Sequence, residues 1–446
     1  MKSLFRRLSS VICVLGLSSA LHAQIAPRVV RTNIVGLDVL IYQTGVQDVV
    51  TIKGSLPAGD TLAGDGNLAI PTLTGMLLDQ GTTKQDKFAI AEKLEAVGAT
   101  IEFSVSQQLA EVSAKCLKKD VPLVIGLIAE QLRFPALSAE EFEKAKAQFA
   151  GSLQHSLEST DTRAEEAFRR SVYPAGHPNR PAGAEELLAA IPSAKLEDVK
   201  AFHAKYYGPA HCTLVLVGDV DATVIQREVA TAFAGWTGGA DVPHGAKARG
   251  IDARLDQNVY MADKTSVSVM LGQASGLRYS DPDYQALRVG TAILGSGFTG
   301  RLMANVRDKE GLTYGIGSRL ANDAFSDGEW RINATFAPSK LEQGIASTKR
   351  QLTSWYADGA TDKEIADRKT NLIGTYKVGL ATTEGMAGQL LVTIQRGFTP
   401  AWLDDYPQQI NALTTAQVNA AIKKYLKPDE MVLVKAGTIP GALPAK

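Results

Sequence analysis

The sequence is poor in cysteine and histidine, has no excess charge of either sign, and contains no long apolar run after its first 23 residues. The missing apolar run argues against a membrane-embedded enzyme. The balance of 47 basic and 47 acidic residues gives no electrostatic footprint for nucleic acid. A length of 446 residues exceeds one typical hydrophobic core, so two domains of about 200 residues each are expected.

The first 23 residues have the layout of a cleaved secretory signal. A basic start with Lys2, Arg6 and Arg7 is followed by an apolar stretch and by small residues that end at Ala23. An amphipathic membrane anchor is the alternative, but the apolar part is short for that role. We therefore predict a periplasmic or secreted protein with no integral membrane segment after signal cleavage.

Two cysteines, Cys116 and Cys212, remain after cleavage, and each lies in strand-like sequence. Two buried thiols are the simplest interpretation. A disulfide between them is the alternative in an oxidising compartment. The sequence leaves that choice open.

The two halves of the chain resemble each other at several places. Segment 204–220 aligns without a gap with segment 423–439, and LSAEEFEKAK from Leu137 matches ATDKEIADRK from Ala360. Each half has the pattern of a strand, a glycine-ended helix, two alternating strands, long amphipathic helices and a closing apolar strand. We therefore predict an α+β fold of two duplicated domains, each an antiparallel-rich sheet packed by helices.

The repeat sets the predicted domain boundaries. After the signal peptide, residues 1–23, the N-terminal domain covers residues 24–237. Residues 238–257 lack apolar periodicity and are rich in glycine, alanine and charge, which is typical of a linker. The C-terminal domain then covers residues 258–446.

The stretch IPTLTGMLLDQGT in the first half has the pattern of a buried helical turn that ends near Gly81. Pro71, Thr74 and Gly75 have the i, i+3, i+4 spacing at which a helix presents a triad of functional groups. None of these three residues can bind a metal or transfer a proton at neutral pH. The histidines that remain after cleavage include no pair three or four residues apart, so no other helix can supply a zinc site.

The most informative stretch of the second half is GSGFTGRLMANVRDKEGLTYGIGS, residues 295–318. The glycines at 295, 297 and 300 spell the GxGxxG of a dinucleotide loop. However, the preceding segment is helical in pattern and no βαβ unit follows. Binding of NAD or ATP is therefore not expected.

This stretch, together with the duplication, resembles the M16 family of zinc metallopeptidases, the insulinase and mitochondrial-processing-peptidase group. Active members carry His-x-x-Glu-His before an MLFxGT-like end, which matches MLLDQGT here, and a further Glu downstream completes their zinc site. On this alignment the two His become Pro71 and Gly75, the Glu becomes Thr74, and residues 150–152 contain no carboxylate for the third ligand. Because a catalytic zinc needs three donors and a carboxylate base, the resemblance implies that this chain binds no metal or other cofactor.

Peptide-cleaving members also carry an Arg and a Tyr in the C-terminal domain that hold the substrate carbonyl across a closed chamber. They match Arg307 and Tyr314, and such a pair would act as an oxyanion hole. The residues alone allow another interpretation, in which Arg307 lies on a solvated helix face and Tyr314, alternating with Leu312 and Ile316, belongs to the core. The nearby Gly297 and Arg301 are assigned to turn geometry and surface charge.

The resemblance implies the non-catalytic subunit of a heterodimeric M16 peptidase, forming half of a clamshell chamber and inactive on its own. The expected partner is an M16 homologue that bears His-x-x-Glu-His and the zinc, and the expected substrate is a peptide. An inactive M16-fold scaffold protein of the cell envelope is the alternative. The sequence does not decide between a homodimer and a heterodimer.

Overall fold

The computed structural model describes residues 24–239 and 254–441. The predicted signal peptide therefore lies outside the described residues, as do residues 240–253 of the predicted linker. Within the described ranges, no helix combines the length and the apolar character that a membrane crossing needs.

The described residues form strands β1 to β11, helices α1 to α14 and one π-helix. The strands are β1 (Val29–Ile34), β2 (Leu37–Gln43), β3 (Val49–Leu56), β4 (Thr100–Val105), β5 (Ala110–Leu117), β6 (Thr213–Gly218), β7 (Leu255–Tyr260), β8 (Val267–Ala274), β9 (Thr313–Ala321), β10 (Glu329–Phe336) and β11 (Val432–Gly437). The helices are α1 (Ile70–Met76), α2 (Lys87–Glu95), α3 (Val121–Arg133), α4 (Ala139–Leu157), α5 (Thr160–Val172), α6 (Ala184–Ala190), α7 (Leu196–Tyr206), α8 (Ala222–Ala232), α9 (Tyr284–Gly295), α10 (Leu341–Asp358), α11 (Asp362–Gly379), α12 (Thr383–Gln395), α13 (Ala401–Ala412) and α14 (Thr415–Tyr425). The π-helix is Met303–Lys309.

Two sheets carry the duplication. Their strand orders are β1-β2-β6-β3-β5-β4 and β7-β11-β8-β10-β9. In each sheet the closing strand pairs in parallel with one neighbour, β6 with β2 and β11 with β7, and the other pairings are antiparallel. Without β1 the two orders are the same, strand for strand. The predicted α+β fold with two copies of one unit is therefore confirmed.

The segments that match between the halves begin their helices in the same way. Ser138 caps α4 by accepting a hydrogen bond from the Glu141 N–H. Thr361 caps α11 in a reciprocal capping box with Glu364. A hydroxyl at the N-cap satisfies an N–H group that the first helical turn leaves free, so both copies keep the residue type that starts this helix.

The predicted linker is too long at its C-terminal end. Residues 255–257 belong to β7, the edge strand that pairs in parallel with β11. The side chains of β7 are mostly polar and none is buried, so this strand lacks the alternation of apolar residues that identifies a half-buried strand.

Each half contributes one helix to the sheet of the other half. Helix α12 packs on β3 and β6 of the first sheet, and α5 packs on β8 and β11 of the second. A polar contact joins each of these helices to the sheet of the other half. The Thr51 and Thr383 hydroxyls are 2.9 Å apart, and those of Thr160 and Ser268 are 2.8 Å apart. The two halves are thus joined by exchanged helices in addition to the linker.

Candidate functional site

Helix α1 occupies the position of the expected zinc helix, but its side chains are used for packing. Pro71 lies in the first turn, where its missing N–H costs nothing. The buried Thr74 hydroxyl donates to the Ile70 carbonyl at 2.8 Å. A Cβ on Gly75 would lie 2.2 Å from Cγ2 of Val105, so β4 fills the space that a histidine would need.

The expected third ligand position lies on α4, where residues 150–152 are Ala, Gly and Ser. Gly151 and Ser152 are exposed. In residues 24–239 and 254–441, no three His, Cys, Asp or Glu side chains are grouped as a metal site requires. The donor types present at the family positions do not fit a zinc ion.

The two cysteines are free, buried thiols. Cys116 pairs with Val50 on β3, whereas Thr213, directly after Cys212, pairs with Ser55 of the same strand. Five residues of a strand span about 17 Å, well beyond the roughly 7 Å that a disulfide can bridge. A bond between them is therefore excluded in this fold, and burial raises the pKa of each thiol to about 12.

Two irregular elements position the predicted pair. Arg307 lies in the π-helix, where the Glu310 N–H bonds to the Asn305 carbonyl five residues back. Tyr314 is the extra residue of a β-bulge, because Gly315 pairs with Thr335 while Thr313 pairs with the next residue of β10. Such irregularities are frequent at functional sites because they change the direction of a side chain.

Together these elements bring Arg307 and Tyr314 next to each other. The guanidinium carbon lies 5.6 Å from the centre of the Tyr314 ring, within cation–π distance. The Arg307 side chain is 31% exposed, and its guanidinium has an ionic contact with Asp308 at 3.4 Å. Tyr314 is 89% exposed, so the bulge takes it out of the core-facing alternation of Leu312 and Ile316, and its assignment to the core is wrong.

Phe298 is a third member of this cluster, and sequence reasoning missed it. Its ring centre lies 5.4 Å from the Arg307 guanidinium carbon, and the side chain is 72% exposed. Arg307 thus touches two exposed aromatic rings. Residues 296–300 form a glycine-rich loop, and an aromatic residue in this loop was the available signal, since such a loop has no core into which the ring can fold.

The predictions for the neighbouring residues Gly297 and Arg301 have different outcomes. Gly297 has φ +67°, which a turn residue without a Cβ adopts freely, so its assignment to turn geometry is confirmed. Arg301 is more than a surface charge: it donates two hydrogen bonds to the Glu364 carboxylate, each of 2.7 Å, and a third to the Gly359 carbonyl. It ties the glycine-rich loop to α11.

A cleft of about 550 Å³ begins at this cluster. Phe298, Gly315 and Ile316 form one wall, and Asp161 and Glu165 of the exchanged helix α5 form another. The glycines of the loop and of β9 leave backbone open to the cleft.

The comparisons with known proteins agree with this description. Residues 67–182 match the family Insulinase (Peptidase family M16), and residues 193–372 match the Peptidase M16 inactive domain. Together these matches cover more than half of the chain. The chain belongs to the M16 peptidase family. In its first domain, the positions expected to bind zinc carry no metal-binding side chain.

Individual relatives are distant but span most of the chain. An uncharacterized zinc protease of Streptomyces coelicolor is 23% identical over 78% of this chain and 76% of its own, and the non-peptidase homolog YmxG of Helicobacter pylori is 22% identical over 84% and 85%. A crystal structure of a peptidase M16 inactive domain from Pseudomonas fluorescens superposes with a TM-score of 0.83, at 26% identity over 94% of this chain and 100% of that one.

Proposed function

We propose that this chain is the non-catalytic subunit of a two-chain M16 peptidase of the periplasm or extracellular space. Its partner is an M16 homologue with His-x-x-Glu-His, which supplies the zinc, and the two chains enclose a peptide substrate. The predicted signal peptide supports the location. The similarity to a non-peptidase homolog and to an inactive domain supports the division of labour.

The observation that carries this proposal is the contrast between the two domains. Val105 fills the space beside Gly75 on helix α1 that a zinc ligand would need. In the second domain, the π-helix and the bulge hold Arg307 and Tyr314 together at the surface. Tyr314 is 89% exposed and Phe298 is 72% exposed, so two aromatic rings around one guanidinium are left open to a partner or a ligand.

In the assembled enzyme, the two side chains act on the substrate carbonyl. The Arg307 guanidinium and the Tyr314 hydroxyl donate hydrogen bonds to its oxygen, where negative charge develops during attack by water. Loss of one such donor costs on the order of 3 kcal/mol at the transition state. The cleft beside Phe298 receives a neighbouring peptide side chain.

The test is reconstitution with an M16 homologue that carries His-x-x-Glu-His, followed by an assay on an unstructured peptide. We expect activity only when both chains are present. Arg307→Ala and Tyr314→Phe should each lower kcat by about 10- to 1,000-fold with the complex intact. Zinc-dependent cleavage by the highly purified single chain would overturn the proposal.

Two matched variants control for local damage. Lys309→Ala removes an exposed cation from the same π-helix, and Tyr356→Phe removes a phenol hydroxyl from α10; neither should change kcat. The alternative function, an inactive scaffold of the cell envelope, predicts that Arg307→Ala and Tyr314→Phe behave like these controls. The loss of the zinc ligands is common to both functions, so the kinetics of these variants separate them.

A further inference from the structure

Arg368 on α11 is a buried cation that has no anionic partner in the part of the chain that the structure describes. The residue is only 7% exposed. Its guanidinium donates two hydrogen bonds, to Oδ1 of Asn371 at 3.3 Å and to Oγ1 of Thr299 at 3.4 Å. Both are long and go to neutral oxygens, whereas a guanidinium bound to a carboxylate has bonds of about 2.8 Å.

The carboxylate one turn away on α11 is already used. Both oxygens of Glu364 accept from Arg301, and one of them also accepts from the Thr361 N–H. Among the described residues, no carboxylate oxygen lies within 4.0 Å of an Arg368 nitrogen. Burial opposes the charge and lowers the pKa of Arg368, yet a guanidinium stays protonated in proteins.

Thr299 marks the side from which a ligand can reach the guanidinium. It lies in the glycine-rich loop between α9 and the π-helix, where Gly297, Phe298 and Thr299 are exposed. The Thr299 hydroxyl accepts from Arg368 and keeps its own proton free to donate. The backbone N–H groups of these three loop residues donate to no described residue, and the space beside the Cα of Gly297 is open.

We propose that Arg368, the Thr299 hydroxyl and the free N–H groups of this loop bind a small oxyanion. A carboxylate or a phosphate offers the oxygens that a guanidinium and these donors can share. The bound group would come either from solution, as a free anion, or from the carboxylate end of a peptide. The second source rests on the proposed function, because the Phe298 ring of the same loop touches Arg307.

The test measures the melting temperature of the purified chain in chloride buffer while inorganic phosphate or acetate replaces chloride at constant ionic strength. We expect a rise of about 2–4 °C with the anion that binds. In Arg368→Met this rise should disappear, and in chloride alone the variant should melt at or above the wild type, because a buried unpaired charge is gone. Thr299→Val, on the exposed loop, should weaken the binding about tenfold.

The matched control is Arg301→Met, which removes a guanidinium that does have a carboxylate partner. It should melt lower than the wild type in every buffer and still respond to the anion. Equal responses in the wild type and Arg368→Met, or no response of the wild type to any of the probes, would overturn the anion site.

A short peptide with a free carboxylate end, compared with its amidated form, distinguishes the two sources. A response to the free acid but not to the amide supports the peptide end, and a response to phosphate alone supports a free anion. If phosphate binds and the peptide does not, the anion site stands and peptide capture at this loop is rejected, independently of the peptidase assay.

Discussion

Val105 limits the size of the side chain at position 75. Because a Cβ on Gly75 would lie 2.2 Å from Cγ2 of Val105, Gly75→Ala should destabilise the protein by about 1–3 kcal/mol. In a Val105→Ala background the same change should cost little, since alanine favours a helix over glycine by about 0.5–1 kcal/mol. Urea unfolding of the wild type, the two single variants and the double variant measures this coupling. Equal costs in both backgrounds would show that Val105 is not what excludes a larger residue.

For single residues, the sequence predicted what depends on residue type and missed what depends on three-dimensional contacts. The absence of donors at Pro71, Thr74 and Gly75 was visible in the sequence, because no geometry gives these side chains an imidazole or a carboxylate. The exposure of Tyr314 was not visible, because it depends on a bulge that β10 imposes across the sheet. Phe298 was missed for a related reason: its contact with Arg307 joins a loop to a π-helix.

Among the secondary-structure elements, the bulge in β9 is stabilised by hydrogen bonds of its own residue Thr313. The Thr313 hydroxyl lies 2.6 Å from the Thr335 carbonyl, to which it donates, and the Gly315 N–H donates to it at 3.1 Å. These bonds satisfy backbone groups that the bulge takes out of the ladder. They fix the backbone on both sides of Tyr314.

Under the proposed function, Thr313→Val should therefore lower the activity of the reconstituted complex without removing Arg307 or Tyr314. The valine keeps the shape but loses both bonds, so the bulge relaxes and Tyr314 moves. We expect kcat of the reconstituted peptidase to fall about 10- to 100-fold, as for a misplaced catalytic group. Thr348→Val, which removes a buried hydroxyl bond on α10, is the control and should reduce stability only. Unchanged kcat in Thr313→Val would mean that the bulge does not position Tyr314.

The start of α11 supplies a pH-dependent prediction. Hydrogen bonds from Arg301 lower the pKa of Glu364 from 4.5 to about 2. A lowered pKa in the folded state means stability that is present above pH 4.5 and lost as the pH falls toward 2. Glu364→Gln should thus cost about 1–2 kcal/mol at pH 7, allowing for partial exposure, and progressively less below pH 4.5.

Denaturant unfolding between pH 7 and pH 3 measures this difference. The control is the same substitution in an Arg301→Met background, where the pH-dependent part should disappear. A cost of Glu364→Gln that stays constant with pH would indicate that the capping bonds to Thr361 dominate over the charge of the pair.

The arrangement of the helices and strands could be predicted from sequence patterns only in part. The duplication followed from the matching segments of the two halves, and the alternating and closing strands followed from local periodicity. The two strand orders confirm these predictions. The exchange of α5 and α12 between the halves did not follow, because an amphipathic pattern shows that a helix has an apolar face and does not show which sheet covers it. The predicted linker included residues 255–257 of the edge strand β7 because this strand buries no apolar face.

Over the whole molecule, a buried polar network joins the exchanged helix α5 to the second sheet. Glu329 is fully buried and accepts hydrogen bonds from the Tyr173 hydroxyl and from Arg331. Arg331 also pairs with Glu165 of α5 at 2.8 Å. Burial raises the pKa of Glu329, and the guanidinium beside it opposes that rise. Separating the halves would break the Arg331–Glu165 pair and the hydrogen bond from Tyr173 to Glu329, which favours unfolding of the chain as one unit.

Helix α12 allows a test of that cooperativity. Leu390 is fully buried on α12, which packs on the first sheet although it belongs to the second half of the chain. Leu390→Ala should cost about 2–5 kcal/mol. Unfolding of the two halves as one unit predicts that hydrogen exchange speeds up equally in β3 of the first sheet and β8 of the second. Val229→Ala on α8, which packs within the first half, should have the same distributed effect. Faster exchange confined to one sheet would show that the exchanged helices do not couple the two halves.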